Sequence, residues 1–279
     1  MTLSESAADS DGAYPRPAAC FEVAGGWVTG ADHLRTGRPG QDALAWLCSD
    51  DMVVATVCDG CGSAALSQVG AALGARLWTQ ALARRLASAE ALDRPESWPA
   101  VWRDAAADVC AVLADLASRM GGAIEQVIAE YFLFTIVGAA ITPRLSAVFA
   151  IGDGVVAVDG RTEVIGPFPD NQPPYLAYRA MPGAIAASDP LNYCIFEETE
   201  RVNSLVIATD GAADLSDGLG QFTGDRCFRN RDAIRRQLAL LSRSRAAIDW
   251  DAGCVARTSA PLRDDTAVVA IRRVPGGAA

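Results

Sequence analysis

The chain has 279 residues, of which 51% are hydrophobic and 21% are charged, a balance typical of soluble globular proteins. Its net charge is −10, from 24 basic and 34 acidic residues, so the chain lacks the excess of basic residues that nucleic-acid binding requires. No apolar run is long enough to span a membrane, and the first residues do not have the pattern of a signal peptide. We therefore expect a cytoplasmic protein with no nucleic-acid or membrane partner.

The chain contains 8 cysteines, which we expect to be free thiols because the expected compartment is reducing. Cys48, Cys58 and Cys194 lie in or beside apolar runs, where a thiol packs as a small hydrophobic group. Cys58-x-x-Cys61 has the spacing of a zinc or redox pair, but it flanks an aspartate and no second pair accompanies it. A zinc or redox role is therefore disfavoured.

The sequence predicts one domain over residues 19–274, between a disordered tail at 1–18 and a loose tail at 275–279. Within the domain, blocks of predicted strands alternate with long helical blocks. Strands are predicted at 21–31, 42–48, 52–58, 132–141, 145–151, 155–158, 194–198, 204–209 and 266–271. Helices are predicted at 66–77 with Ser63 as the cap, at 97–131 with an interruption at Gly121-Gly122, and at 232–241.

This order lacks the regular strand–helix alternation of a doubly wound fold. It predicts an α+β fold of two mainly antiparallel sheets with helices outside, and a hairpin at Val158-Asp159-Gly160-Arg161. Residues 166–193, rich in Pro, Asn and Tyr, form a predicted loop. A loop this long is usually functional, and a substrate flap, a docking surface and a packed loop all remain open as interpretations.

Three apolar strands end in Asp-Gly, at Asp59, Asp153 and Asp210, and Asp264 stands just before the last strand. A carboxylate followed by glycine suits a hard cation, because glycine lets the backbone come close. In antiparallel sheets the end of one strand lies beside the start of the next, so these carboxylates are expected to meet at one edge. Two charges 4 Å apart repel by about 4 kcal/mol at a dielectric constant of 20, and divalent cations would relieve that repulsion.

The same segments carry a family resemblance over residues 25–272. They resemble, in order and roughly in spacing, the signatures of the metal-dependent type 2C Ser/Thr protein phosphatases, and the first of them has the form common among bacterial members. The segments are Gly40-Gln41-Asp42-Ala43, Asp59-Gly60-Cys61-Gly62-Ser63, Gly152-Asp153-Gly154, Ala208-Thr209-Asp210-Gly211 and Asp264-Asp265-Thr266.

The resemblance implies a four-layer α-β-β-α sandwich with two Mn²⁺ or Mg²⁺ ions at one edge, and a hydroxide between them that attacks phosphorus in line. It also implies phosphorylated protein substrates and, as a partner, a cognate Ser/Thr kinase. By this resemblance Asp59 would bridge both ions, Gly60 would offer its backbone carbonyl to one of them, and Asp210 and Asp264 would be further ligands. Asp42 would lie in an outer position or contact a metal-bound water, and Asp153 would bind a weaker third ion. Arg38, or alternatively Arg35, would bind the phosphate.

The sequence also departs from the family pattern. Cys61 stands where many members have a histidine proposed as general acid, and a thiol is a poorer donor at neutral pH. A metal-bound water is the expected substitute. The only histidine, His33, is interpreted as a surface or loop residue, with a place near the site as the alternative. Asp265 is interpreted as a capping or solvent-facing residue.

Other interpretations remain open. Asp-Gly is also a hairpin signal, and a simple turn is a serious alternative at Asp153 because a predicted strand follows it. Cys61 and the unsettled arginine motivate a functional alternative: an inactive pseudo-phosphatase that holds a phosphoprotein on the 166–193 loop. An NTPase is unsupported, because the sequence has no Gly-x-x-x-x-Gly-Lys-Ser/Thr loop.

Overall fold

Two five-stranded antiparallel sheets face each other in a computed structural model of the chain, which describes residues 16–89, 92–184, 189–215, 218–251 and 253–274. Helices cover the outer faces of both sheets, so the predicted α+β sandwich with outer helices is confirmed. The predicted tails at 1–18 and 275–279 lie almost wholly outside the described residues, and a short helix begins at Pro17. Within the described residues, no helix has both the length and the apolar composition needed to cross a membrane.

The strands, in chain order, are β1 (Phe21–Val28), β2 (Ala43–Ser49), β3 (Met52–Cys58), β4 (Ile136–Ile141), β5 (Leu145–Ile151), β6 (Gly154–Val158), β7 (Arg161–Ile165), β8 (Tyr193–Glu198), β9 (Ser204–Ala208), β10 (Arg245–Asp249), β11 (Cys254–Thr258) and β12 (Thr266–Arg273). The first sheet has the order β1-β12-β9-β6-β7, and the second has the order β2-β3-β4-β5-β8. Strands β10 and β11 form a separate hairpin that the sequence did not predict.

The helices are α1 (Pro17–Cys20), α2 (Ala31–Thr36), α3 (Ser67–Ser88), α4 (Trp98–Met120), α5 (Ile124–Val127), α6 (Asp225–Phe228) and α7 (Ala233–Leu241), with a π-helical turn at Ile128–Phe132 after α5. The predicted break at Gly121-Gly122 is confirmed. The predicted cap at Ser63 is wrong, because α3 begins only after Leu66 and has no side-chain cap. Helix α2 replaces the end of the strand predicted at 21–31.

The central position of β3, β4 and β5 explains why their sequences are continuously apolar. Every residue of β3, β4 and β5 is buried, because one face meets the first sheet and the other meets α3 and α4. Strands covered on both sides are continuously apolar rather than alternating. On the helical side, the ring centroids of Trp102 and Phe149 lie 4.6 Å apart, and those of Trp78 and Phe149 lie 6.0 Å apart.

Antiparallel pairing brings strand ends together at one edge of each sheet. In the second sheet Ala43, at the start of β2, pairs with Cys58, at the end of β3. In the first sheet Ala208, at the end of β9, pairs with both Val155 and Val268, near the starts of β6 and β12. The two edges are joined where the chain passes from β5 to β6, so Asp153 lies in a connection between sheets and the hairpin-turn interpretation of Asp153 is wrong. The hairpin predicted at 158–161 is confirmed.

Close packing of α3 on the second sheet generates a stability prediction. A Cβ atom at Gly74 would lie 2.3 Å from the ring of Phe134, which is fully buried. In an open helix interior, Gly→Ala gains about 1 kcal/mol. Here overpacking outweighs that gain, and we expect Gly74→Ala to lower the free energy of unfolding by about 1–2 kcal/mol, measured by urea denaturation.

The matched control is Gly220→Ala, since a Cβ atom at Gly220 would meet nothing within 4 Å. That variant is expected to stay within about 0.5 kcal/mol of the wild type. A Gly74→Ala protein more stable than the wild type would contradict the packing described here.

Candidate metal centre

A cavity of about 430 Å³ opens where the strand ends of the two sheets meet. No arginine or lysine of the described residues lines it. Its lining includes six carboxylates, those of Asp59, Asp153, Asp170, Asp210, Asp264 and Asp265. A larger cavity of about 520 Å³, beside Met52 and Thr142 at the opposite end of the second sheet, contains none of the predicted site residues. The acidic cavity is therefore the candidate site for the predicted chemistry.

Asp59 and Asp42 come from the second sheet. The carbonyl of Asp59 accepts the Thr135 N–H at 2.8 Å, which fixes the end of β3 against the start of β4. Asp42 is 7% exposed; its Oδ2 accepts the Thr209 hydroxyl at 2.6 Å, and its Oδ1 is buried with no hydrogen-bond partner. Burial raises the pKa of both carboxyls, and the negative charge of Asp210 raises both further.

Asp153, Asp210 and Asp264 come from the edge of the first sheet. Asp210 begins a 3₁₀ turn directly after β9. Its side chain is exposed to the cavity, and partial desolvation by the surrounding protein, together with the charges of Asp153 and Asp264, raises its pKa to about 6. Burial also raises the pKa of Asp153. Burial is the main cause of these shifts, and repulsion between neighbouring carboxylates adds to it at Asp42, Asp59 and Asp210 when no cation is present.

Asp265 is buried, so its interpretation as a solvent-facing residue is wrong. It is 3% exposed, its Oδ1 accepts the Gly30 N–H at 2.7 Å, and its Oδ2 accepts the Gln41 N–H at 2.6 Å. Its neighbour Asp264 stays exposed and accepts the Asp265 N–H at 2.8 Å. Asp265 is therefore a brace that ties the segments before α2 and β2 to the start of β12.

His33 completes this brace, and its interpretation as a surface or loop residue is wrong. It lies in α2, its side chain is 13% exposed, and its Nδ1 lies 2.7 Å from Asp265 Oδ2. The imidazole lines the acidic cavity. Nothing in the local sequence signals this contact, because His33 and Asp265 are 232 positions apart.

The two candidate phosphate-binding arginines lie just outside the acidic cavity. Arg38 Nη2 donates to the Gly62 carbonyl at 2.9 Å, and Arg35 pairs with Asp32 at 3.4 Å. Both line an adjacent cavity of about 480 Å³, which shares His33 and Asp264 with the acidic one. Arg38 is the better placed of the two, because its partner Gly62 lines the acidic cavity.

Cys61 and part of the predicted 166–193 loop form the remaining wall. Asp170, Asn171, Gln172, Pro173 and Tyr175 of that loop line the cavity. Burial alone would raise the pKa of the Cys61 thiol, but hydrogen bonding with Ser63, Tyr175 and nearby backbone outweighs burial and lowers the pKa. Part of the loop thus belongs to the site. The composition of the loop could not show this, because it fitted a docking surface or a packed loop equally well.

The residues present fit hard divalent cations. The convergent side-chain donors of the two sheet edges are carboxylates, which suit Mg²⁺ and Mn²⁺. A bound cation would relieve the cost of burying these carboxylates as anions, which is seen in their raised pKa values, and the lack of a partner at Asp42 Oδ1. Asp59, Gly60, Asp153, Asp210 and Asp264 all line the one cavity, so the predicted ligands are brought together. Their assignment to individual ions stays a prediction.

Comparison with known proteins identifies the family. The model of the protein phosphatase 2C family matches residues 29–246, and the resemblance noted in the sequence is confirmed. Among solved structures, a bacterial serine phosphatase is similar with a TM-score of 0.51 at 16% identity, covering 92% of this chain and 98% of that one.

The Ser/Thr phosphatase Stp1 from Staphylococcus aureus is similar with a TM-score of 0.54 at 15% identity, covering 92% of this chain and 96% of that one. A C. elegans sex determining protein is similar with a TM-score of 0.55 at 16% identity, covering 91% of this chain and 64% of that one. At these identities the likeness shows a shared fold. No curated protein sequence matches the chain at a significant level.

The brace at Asp265 predicts a large effect on stability. Asp265→Ala leaves the buried Gly30 and Gln41 N–H groups without their acceptor, and we expect the free energy of unfolding in EDTA to fall by about 2–4 kcal/mol. The matched control is the exposed neighbour Asp264→Ala, for which we expect a loss below about 1 kcal/mol. Equal losses in urea denaturation would show that Asp265 is no brace.

The carboxylate repulsion predicts a pH dependence of the metal-free protein. Asp210, with its pKa raised to about 6, binds a proton in the folded state that the unfolded state releases near pH 4. Its ionisation therefore opposes folding, and stability is lost as pH rises from about 4 through 6. In EDTA, the Tm of the wild type relative to that of Asp210→Asn should fall between pH 5 and pH 7. A difference that stays constant or grows in the wild type's favour would contradict the shift.

Proposed function

Because the chain belongs to the protein phosphatase 2C family, whose members are Ser/Thr protein phosphatases and hence hydrolases, we propose that it hydrolyses phosphoserine or phosphothreonine in proteins with the help of divalent cations. The observation that carries this proposal is the cavity lined by carboxylates from both sheet edges, with no arginine or lysine of the described residues in its lining. Such a cavity suits cations, and cations in turn suit a phosphate group.

We assign two Mn²⁺ or Mg²⁺ ions to Asp59, the Gly60 carbonyl, Asp210 and Asp264, and a weaker third ion to Asp153 with Asp210. When bound, such ions lower the pKa of water and stabilise negative charge on phosphoryl oxygens. Asp59 would contact both ions, since it lies at the end of β3 where carboxylates of both sheets, Asp42 and Asp210, add to the rise that burial causes in its pKa.

The protein's own groups position the water and the phosphate. Asp42 would help to hold the attacking water beside Asp59, and Thr209 orients its carboxyl by donating to Oδ2. Arg38 would bind the phosphate by exchanging the Gly62 carbonyl for phosphoryl oxygens. That exchange favours the phosphate, because the guanidinium then pairs with negatively charged oxygens, in a geometry that allows two parallel hydrogen bonds, instead of with one neutral carbonyl. The Asp265 brace holds the segment that carries Asp42.

A phosphoprotein substrate must first be made by phosphoryl transfer to serine or threonine. The proposed place of this enzyme is therefore opposite a Ser/Thr kinase in a signalling cycle, with the cognate kinase as its partner.

The alternative function is a pseudo-phosphatase that binds phosphoproteins without turnover. The position of both candidate phosphate-binding arginines outside the acidic cavity favours it, together with the thiol at Cys61. Against it stand the clustered carboxylates, whose raised pKa values represent a cost that a site without cations has no reason to keep.

Turnover with Mn²⁺ on a phosphothreonine peptide and on p-nitrophenyl phosphate tests the proposal. We expect Asp59→Asn and Asp264→Asn to lose about 10³-fold in kcat, because each removes a ligand on which charge stabilisation depends. The control is Asp50→Asn, an exposed residue in the turn between β2 and β3 at the far end of the sheet, which should keep full activity.

Calorimetry separates the two functions. Tight Mn²⁺ binding with turnover supports the phosphatase. Metal or phosphopeptide binding without any turnover by the wild type supports the pseudo-phosphatase and contradicts the proposal.

A further inference from the structure

Tyr175 occupies a fixed position on the wall of the acidic cavity. It directly precedes a 3₁₀ turn, Leu176–Ala180, whose first two residues are fully buried against α4. The Cys110 thiol of α4 donates to the Leu176 carbonyl at 3.7 Å. The backbone that carries Tyr175 is therefore anchored in the core, although it belongs to a long loop.

The side chain of Tyr175 points its polar end at the site. The residue is half-buried and lines the acidic cavity together with Cys61. Its ring packs edge-on against Tyr178, with centroids 5.6 Å apart. Tyr178 is 43% exposed and is absent from the cavity lining, so the two tyrosines form a natural pair for comparison.

The Tyr175 hydroxyl is a neutral donor. Burial raises its pKa, the adjacent Cys61 thiol raises it further, and the negative charges of Asp59 and Asp153 add to the effect. The hydroxyl lies within hydrogen-bond reach of the Cys61 thiol, which follows Asp59 by two positions. A phenol that holds its proton can donate a hydrogen bond across the whole working pH range.

We propose that Tyr175 is a catalytic residue whose hydroxyl donates a hydrogen bond to the leaving oxygen of the phosphorylated side chain. This inference rests on the proposed function. In-line displacement places the attacking water and the leaving oxygen on opposite sides of phosphorus. Cys61 and Tyr175 line the same cavity as the carboxylates, and in the proposed arrangement the carboxylates with their cations would face the attacking water while Tyr175 would face the leaving oxygen.

The step balances without a further reactant. The phosphorus–oxygen ester bond breaks, a bond from phosphorus to the water oxygen forms, and the leaving oxygen takes up a proton originally carried by water. Tyr175 keeps its own proton and stabilises the negative charge that develops on the leaving oxygen. Tyr175 thereby supplies the hydrogen-bond donor beside Cys61, whose thiol is a weak donor.

The test is Tyr175→Phe, which removes only the hydroxyl, with Tyr178→Phe as the matched control. A serine or threonine alkoxide is a poor leaving group and depends on the donor, whereas p-nitrophenolate is a stable anion. For Tyr175→Phe with Mn²⁺ we expect kcat to fall about 10–100-fold on a phosphothreonine peptide and about 3-fold or less on p-nitrophenyl phosphate. Tyr178→Phe should leave both rates within about 2-fold of the wild type.

A series of aryl phosphates gives a second readout that a structural defect would not move. In Tyr175→Phe the logarithm of kcat should fall more steeply with the pKa of the leaving phenol than in the wild type. Equal losses on peptide and p-nitrophenyl phosphate, unchanged rates, or an unchanged slope would each overturn the role of Tyr175 while leaving the proposed function standing. A wild type without turnover on any substrate would overturn both.

Discussion

The mutual repulsion of carboxylates at the meeting edges of two sheets is the constraint on which this structure depends. Asp42 and Asp59 arrive from the second sheet, and Asp153, Asp210 and Asp264 from the edge of the first. Burial raises the pKa of four of them, Asp42, Asp59, Asp153 and Asp210, and neighbouring negative charge adds to the rise at Asp42, Asp59 and Asp210. The Oδ1 atom of Asp42 is buried without a hydrogen-bond partner. The rest of the fold acts against this local instability by holding the strand ends in place, and bound cations would convert the repulsion into binding energy.

A short connection and a few hydrogen bonds hold these strand ends in place. The connection from β5 to β6 joins the two edges, and Gly152 and Gly154 there have φ values of 102° and 151°, which glycine adopts without strain. Asp265 ties the start of β12 to the Gly30 and Gln41 N–H groups. Thr209 links Asp42 to the end of β9 across the two sheets. The charged site is thus supported by hydrogen bonds rather than by compensating arginines.

The sequence predicted the sandwich and the strand-end carboxylates because both are local signals. A continuous apolar run marks a strand covered on both faces, and Asp-Gly marks its end, as at Asp59 and Asp210. The environment of Asp265 and His33 was not predictable, since their contact joins residues 232 positions apart. The wall at Tyr175 was equally hidden, because the composition of the loop does not reveal that Leu176 is anchored on α4. Ser63 failed as a helix cap because a cap motif indicates where a helix can begin, and α3 begins only at Ser67.

The proposed metal centre requires the two sheet edges together to hold two divalent ions. Anomalous diffraction from crystals grown with Mn²⁺ is the decisive measurement. We expect two strong manganese peaks in the acidic cavity, with Asp59 in contact with both and Asp210 and Asp264 each in contact with at least one. A cavity without a peak under saturating Mn²⁺, or a single ion bound by one sheet alone, would contradict it.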